Sequence, residues 1–277
     1  MRVTLWGTRG SVARSGLDTV RYGGDTSVVE VEATNGTRLI LDGGSALMRV
    51  TPGLGSFCER IDLLLTHLHM DHIQGLGFFH PLRDPGIETH IWGPISTTME
   101  LRDRLARYLS PPLFPVRLRD LRSMHYHDVG PGSSFEVGPL RVSADLICHP
   151  GPTLGYRIEE NGKALAYLPD HEPALGHREF PADAQWTSGF DLIRGADLLI
   201  HDAQYTQEEY AGRVGWGHST LRQAVDLAAQ AEVKTLVTFH HDPEHSDEML
   251  DQQLQEALGR DLPLEVVPGR AGAAYEI

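Results

Sequence analysis

The seven residues Thr66-His67-Leu68-His69-Met70-Asp71-His72 put three imidazoles and one carboxylate into six consecutive positions, directly after the apolar run Ile61–Leu65. Where a chain leaves a strand in extended form, side chains two apart point the same way. His67 and His69 then converge on one ion, while Asp71 and His72, as the chain turns into a helix, face a second. Imidazole and carboxylate ligands suit zinc and its first-row neighbours. Polar residues that merely solvate a helix start account poorly for such density. Other candidate ligands also stand where apolar runs end. His149 follows Leu140–Cys148, Asp170 follows Ala164–Leu168, and the doublet His240-His241 follows Leu236–Phe239. Each alone reads as an ordinary polar residue. Together they supply what a two-ion centre needs beyond the first run.

The elements that must position these groups are short. Val3–Trp6, Ser27–Val31, Leu39–Leu41, Ile61–Leu65, His90–Trp92, Leu140–Ala144, Ala164–Leu168, Leu198–Ile200 and Leu236–Phe239 are predicted strands. Helical periodicity covers Thr97–Leu109, Thr220–Ala231 and Ser246–Leu258, with Ser219 and Ser246 as N-caps of the last two. There is no linker, low-complexity tract or repeat, and the candidate ligands come from both halves. Residues 1–277 therefore read as one domain of two packed sheets with helices outside.

Composition narrows the function. The 277 residues carry 38 acidic and 24 basic side chains, a formal charge of −14, with 40% hydrophobic residues. That charge disfavours wrapping a long polyanion, which requires Lys and Arg against phosphates. A small anionic substrate is acceptable if a bound cation reverses the local sign. No apolar run approaches the ~20 residues of a membrane span, and Met1–Gly10 lacks the apolar core of a secretory signal. Cys58 and Cys148 make no disulfide framework, so the expected home is the reducing cytoplasm and both thiols read as unreactive. Ser110–Arg122 contains three prolines that exclude regular helix; it reads as a connecting loop, with a lid or dimer contact as the alternative. His125 and His127 alternate like a metal pair, but with no acidic or imidazole partner at suitable spacing they read as a surface loop.

The run His67-Leu68-His69-Met70-Asp71-His72 resembles the HxHxDH signature of the metallo-β-lactamase-fold hydrolases. The resemblance extends from the Asp42-Gly43-Gly44 turn to the His240 region. It implies an αββα four-layer sandwich, two mixed β-sheets flanked by helices, with two metals at one edge. On that resemblance His67, His69 and His149 hold the first metal, Asp71, His72 and His240 the second, and Asp170 bridges. His240 is preferred to His241 because it directly ends its strand. The implied cofactors are two divalent ions, Zn2+ first, with Mn2+ or Fe2+ as alternatives.

Downstream motifs resemble one branch of that family. Trp216-Gly217-His218-Ser219-Thr220 is similar to the HST motif of its phosphodiesterases. His201-Asp202-Ala203-Gln204 sits where tRNA 3′-processing endonucleases (tRNase Z) carry a His-Glu-Ala-Thr box. In those enzymes the carboxylate orients the HST histidine, which protonates the leaving alkoxide. Here Asp202 and His218 take those places, with Asp one methylene shorter than Glu; the competing reading is that Gly217-His218-Ser219 only caps the next helix. The long basic arm with which tRNase Z grips tRNA has no Lys-rich counterpart, since Lys163 and Lys234 are the only two lysines. Gly7-Thr8-Arg9-Gly10-Ser11 and Tyr22-Gly23-Gly24-Asp25-Thr26-Ser27 look like the stand-alone phosphodiesterases related to tRNase Z, a group that includes the anti-Pycsar enzymes acting on cyclic pyrimidine nucleotides.

The expectation is a dinuclear metal-dependent phosphodiesterase for small phosphodiesters, cyclic nucleotides first among them. A hydroxide held between the metals attacks, and Asp71, His218 and Asp202 form the catalytic set with His218 as general acid. tRNase Z-like RNA cleavage, thioester or lactam hydrolysis, and non-catalytic nucleotide binding compete with it. No membrane and no long nucleic acid is expected as partner, and a homodimer is the commonest oligomer.

Overall fold

Each of the nine apolar runs predicted as strands lies in a strand to within a residue at its ends, and among the described residues five further strands accompany them. The computed structural model describes residues 1–50, 59–121, 124–175, 180–183, 187–258 and 261–277. Cys58 and Arg122, named above, lie outside them. In chain order the first sheet takes β1 (Arg2–Gly7), β2 (Val28–Glu32), β3 (Arg38–Leu41), β4 (Arg60–Leu64), β5 (Glu88–Pro94) and β6 (Met124–Val129). The second takes β7 (Ser133–Val137), β8 (Leu140–Leu146), β9 (Leu154–Glu160), β10 (Lys163–Leu168), β11 (Leu198–Asp202), β12 (Thr235–Phe239) and β13 (Glu265–Pro268), after which β14 (Ala274–Glu276) returns to the first sheet beside β1. Both sheets are seven-stranded and mixed: β3 to β6 are parallel neighbours, as are β10 to β13, and the remaining pairs are antiparallel.

Three apolar layers hold the sandwich together. Between the sheets, Leu5, Val29, Leu39 and Leu41 meet Val142, Tyr156, Leu165, Ile200 and Val237. Helices α1 (Leu47–Val50), α2 (Met70–Ile73) and α3 (Leu101–Ala106) join a second core with Ile40, Ile61, Leu63 and Ile91 of the first sheet. Helices α4 (Phe190–Ile193) and α6 (Leu221–Gln230) cover Ala166, Leu199 and Leu236 of the second. The central parallel strands are thus buried on both faces, which is why they read as continuous apolar runs instead of alternating ones. The remaining α-helices among the described residues are α5 (Gln207–Tyr210) and α7 (Asp247–Leu258). This is the predicted αββα sandwich.

Several local expectations need correction. The helix predicted over Thr97–Leu109 is only Leu101–Ala106, because Glu100 is extended (ψ 152°) and the helix starts after it. The N-cap of α6 is Thr220, which forms a capping box with Gln223; Ser219 instead gives its hydroxyl to the carbonyls of His171 and Asp202. His125 and His127 are not in a loop but on β6, the edge strand of the first sheet, in register with His90 and Trp92. An edge strand pairs on one side only and tolerates polar residues, so its sequence lacks the apolar signal. In Ser110–Arg122, Phe114 and Leu118 are buried in the core beside the first sheet, while Leu113 is exposed.

Candidate metal centre

Strand register brings the candidate ligands to one edge. Leu64 of β4 pairs with Leu41 and Trp92, and the chain then continues to His67. In the second sheet Leu168 pairs with His201, and Asp202 with Phe239, so Asp170, Asp202 and His240 leave their strands at a common level. His69 stays extended before α2 (φ −66°, ψ 153°), and the helix then presents Asp71 and His72. His240 adopts φ +56°, a strained conformation for a residue with a side chain and one that clusters at functional sites. Two glycines make room for rings. A Cβ on Gly10 would lie 2.4 Å from the His240 imidazole, and one on Gly217, which has φ +85°, 2.3 Å from that of His149.

The structure brings His67, His69, His149 and Asp170 into one group and Asp71, His72, Asp170 and His240 into another. Within each group one ligand atom per residue lies within 4.8 Å of the others. Asp170 belongs to both. His241 does not: its Nε2 donates to the Gly269 carbonyl at 2.9 Å, its ring packs edge-on against Tyr22, and burial pushes its pKa down to about 3.

The outward nitrogens of the imidazoles are pinned. His72 Nδ1 faces Asp42 at 2.8 Å, His149 Nδ1 the Gly217 carbonyl at 2.8 Å, and His240 Nδ1 the Gln204 side-chain oxygen at 2.8 Å. Each of these partners accepts, so each Nδ1 carries the proton and each Nε2 in the neutral ring is a lone pair aimed inward. Those lone pairs crowd one another. His72 Nε2 and His240 Nε2 are 3.4 Å apart, whereas His149 Nε2 has a hydrogen-bond partner in His69 Nδ1 at 3.2 Å. His72 Nε2 is also 2.9 Å from Asp170 Oδ1, yet the approach is not aligned for a hydrogen bond, and Asp170 Oδ1 and His67 Nε2 are buried without a partner. Converging acceptors at these distances repel unless a cation lies among them. The residues present therefore fit a pair of divalent ions.

Electrostatics agree. Burial opposes charge on Asp170 and Asp71, but the surrounding histidines, His240 and His72 above all, outweigh it and hold both carboxyls well below the usual range. Burial depresses the pKa of His67, His69 and His149, keeping them neutral as ligands must be. At His72 burial is overcome by Asp170, Asp71 and Asp42, which push its pKa well above the ordinary value. A proton there occupies ground that a metal ion would take over.

Beside the second group stands the candidate acid. His218 Nδ1 donates to Asp202 Oδ2 at 2.6 Å, so the shorter Asp reaches its histidine. The His218 ring stacks on His240 with centroids 4.9 Å apart. Asp202 Oδ1 also accepts the backbone N–H groups of Gln204 and Ser219, each at 3.0 Å. Burial opposes the imidazolium, but Asp202 prevails and raises its pKa to about 9.

Four positions that contact the cluster or its loops carry no such role in the sequence reading. Asp42, at φ +59°, accepts from the His72 ring, the Thr66 backbone and the Tyr167 hydroxyl. Gln204 orients His240. The backbone N–H of Ser11 donates to Asp71 at 2.8 Å. Glu172 accepts the N–H groups of Gly215 and Gly217 and the Tyr210 hydroxyl, clamping the loop that carries His218. Cys148 beside His149 is a half-buried thiol whose pKa burial and Glu172 raise, so it is not activated as a nucleophile.

A two-sheet sandwich with histidines and aspartates gathered at one strand edge defines a class of metal-dependent hydrolases. Residues 37–241 match the family described as the beta-lactamase superfamily domain, and the chain belongs to it, with the metallo-β-lactamase fold. Among curated relatives, the ribonuclease Z of Methanopyrus kandleri is 28% identical over 257 residues, covering 81% of this chain and 84% of that protein. Among solved structures, the short form of human tRNase Z superposes with a TM-score of 0.66 at 22% identity, covering 100% and 99% of the two chains. The Zn2+-bound PqqB of Methylobacterium extorquens does so with a TM-score of 0.72 at 17% identity, covering 100% of both.

Proposed function

We propose that the chain hydrolyses phosphodiesters; His67, His69 and His149 would hold one divalent ion, Asp71, His72 and His240 a second, and Asp170, common to both groups, would serve both. The observation that carries this reading is the 2.6 Å Asp202–His218 pair placed beside the ligand cluster. Phosphate esters expel a poor alkoxide leaving group, which needs a proton; an enzyme of thioesters or lactams has less use for such an acid. Two ions, when bound, would supply Lewis-acid polarisation of the phosphate and a nucleophile at neutral pH. With Nδ1 held by Asp202, His218 donates from Nε2 to the departing oxygen, and Asp202 stabilises the imidazolium while fixing the ring's direction. Asp42 and Gln204 keep His72 and His240 in the tautomer that turns Nε2 to the ions. Five imidazoles and two carboxylates suit zinc over magnesium or calcium.

Small substrates, cyclic nucleotides among them, are the preferred class. The chain's formal charge is −14, and its two lysines both bind Asp197 at the far ends of β10 and β12, away from the candidate centre. A second reading, RNA cleavage, draws on the relatives named ribonuclease Z. Metal-reconstituted protein incubated with 3′,5′- and 2′,3′-cyclic mononucleotides, cyclic dinucleotides and a pre-tRNA separates the two. Turnover of a cyclic nucleotide with pre-tRNA left intact is the expected result. Catalytic cleavage of pre-tRNA alone would select the second reading, and inertness toward every phosphodiester would refute both.

A further inference from the structure

We propose that Glu88, His90 and His125 form a separate site for a divalent first-row transition ion on the first sheet, at the edge opposite the catalytic cluster. Strands β5 and β6 are parallel neighbours with His90 opposite His125 and Trp92 opposite His127. Since side chains alternate along a strand, Glu88 and His90 share one face of β5, and His125 and His127 share one face of β6. Glu88 Oε1 lies 3.0 Å from His90 Nε2 and 3.3 Å from His125 Nε2. One ligand atom from each of the three falls within 4.8 Å of the others, the same spacing that characterises the two groups of the candidate catalytic centre. The two rings stack at 4.8 Å with 20° between their planes.

A third histidine fixes the buried ligand. His90 Nδ1 is 2.8 Å from His127 Nε2, and the His127 ring lies flat on Trp92 with centroids 3.9 Å apart. Stacking on Trp92 holds the His127 ring with Nε2 toward His90 Nδ1, where its lone pair can accept. With the His90 Nδ1–H given to that nitrogen, His90 Nε2 becomes a lone pair facing a carboxylate, the orientation in which a ligating histidine is usually held by its outer partner. His90 is 8% exposed, whereas Glu88 and His125 are open to solvent. An ion therefore reaches the site directly and keeps coordination positions for water. Two imidazoles and a carboxylate select zinc, nickel or copper over calcium or magnesium. In the ion's absence the reversed tautomers close the same contacts as ordinary hydrogen bonds, so the site need not be strained when empty.

The test is the zinc content at saturation, by equilibrium dialysis and elemental analysis, of the wild-type chain, Glu88→Gln and His125→Ala. Both substitutions are at exposed positions on an edge strand or its neighbour and away from the proposed catalytic groups. Each variant is expected to bind one equivalent fewer than wild type with phosphodiesterase turnover unchanged. Crystals soaked in zinc should show an anomalous peak bounded by Glu88, His90 and His125. Equal zinc content in all three proteins would overturn the proposal. If the catalytic edge took up no metal, wild type would still bind one equivalent and the variants none, so failure of the functional reading and failure of this one give different counts.

Discussion

The two edges of the sandwich bury carboxylates in opposite ways. At the edge where the parallel strands end, Asp71 and Asp170 are surrounded by imidazoles, whose charge is conditional, and the Nε2 atoms of His72 and His240 face one another at 3.4 Å. At the edge where those strands begin, Asp197 receives Lys234 at 2.7 Å, Lys163 at 3.1 Å and the Ala164 backbone N–H at 2.9 Å. Glu160 there accepts the Thr34 hydroxyl at 2.6 Å and lies 3.5 Å from the chain's N-terminal ammonium. The partners of Asp197 and Glu160 are donors, and both charges are satisfied as the chain folds. Those of the first edge are acceptors that need something from outside. The second sheet thus carries a stabilising set of charges around Asp197 and Glu160 at one edge and a set that waits for ligands at the other.

The contrast is broken most severely at Asp170, the residue common to both ligand groups. Asp170→Ala should lose at least one ion and nearly all turnover; retention of both ions by elemental analysis would remove the bridging role. Next comes His218→Ala, expected to slow phosphodiester turnover by about 10²–10⁴ while metal content stays intact. Unchanged turnover in that variant would mean the proton comes from elsewhere. Asp42→Asn probes the outer partner of His72 and should reduce metal affinity or activity by roughly 10–100-fold. Wild-type affinity and rate together would show that His72 needs no such support.

These three positions were not equally visible in the sequence. His67 to His72 stood out because density alone made the cluster improbable, and Asp170 and His240 followed from the rule that ligands gather where strands end. His218 required a resemblance to be noticed. Asp42 carries no comparable mark: one aspartate before Gly43-Gly44 reads as a turn, and only its φ of +59° and its contacts with Thr66, Tyr167 and His72 reveal a role. Gln204 and Glu172 are likewise defined by distant partners, the His240 ring and the Gly215–Gly217 loop. Most buried strands were legible because both faces are covered, although the interior strand β9 was not read. β6 and β7 were not, since each lies at the edge of its sheet and carries polar residues. The histidines of β6 were misread for the same reason, because their partners Glu88 and His90 become neighbours only through strand pairing.

The smallest effect belongs to the far edge. Burial opposes charge on Asp197, but Lys234, the Ala164 backbone and Lys163 outweigh it and bring its pKa down to about 2. A carboxyl with a depressed folded pKa contributes stability above its unfolded pKa of ~3.9, and that contribution disappears as pH falls toward the folded value. Asp197→Asn should therefore lower stability by about 1–2 kcal/mol near neutral pH, a figure reduced by the exposure of both lysines. The gap between urea midpoints of wild type and variant should stay constant from pH 7 to pH 5 and narrow below pH 4. Turnover and metal content should not change, because Asp197 is at the beginning of β11 and the candidate ligands lie past the ends of the strands. If Asp197→Asn instead altered metal affinity, the two edges would be coupled through β10 to β12, and the division between a stabilising edge and a ligand-seeking one would have to be abandoned.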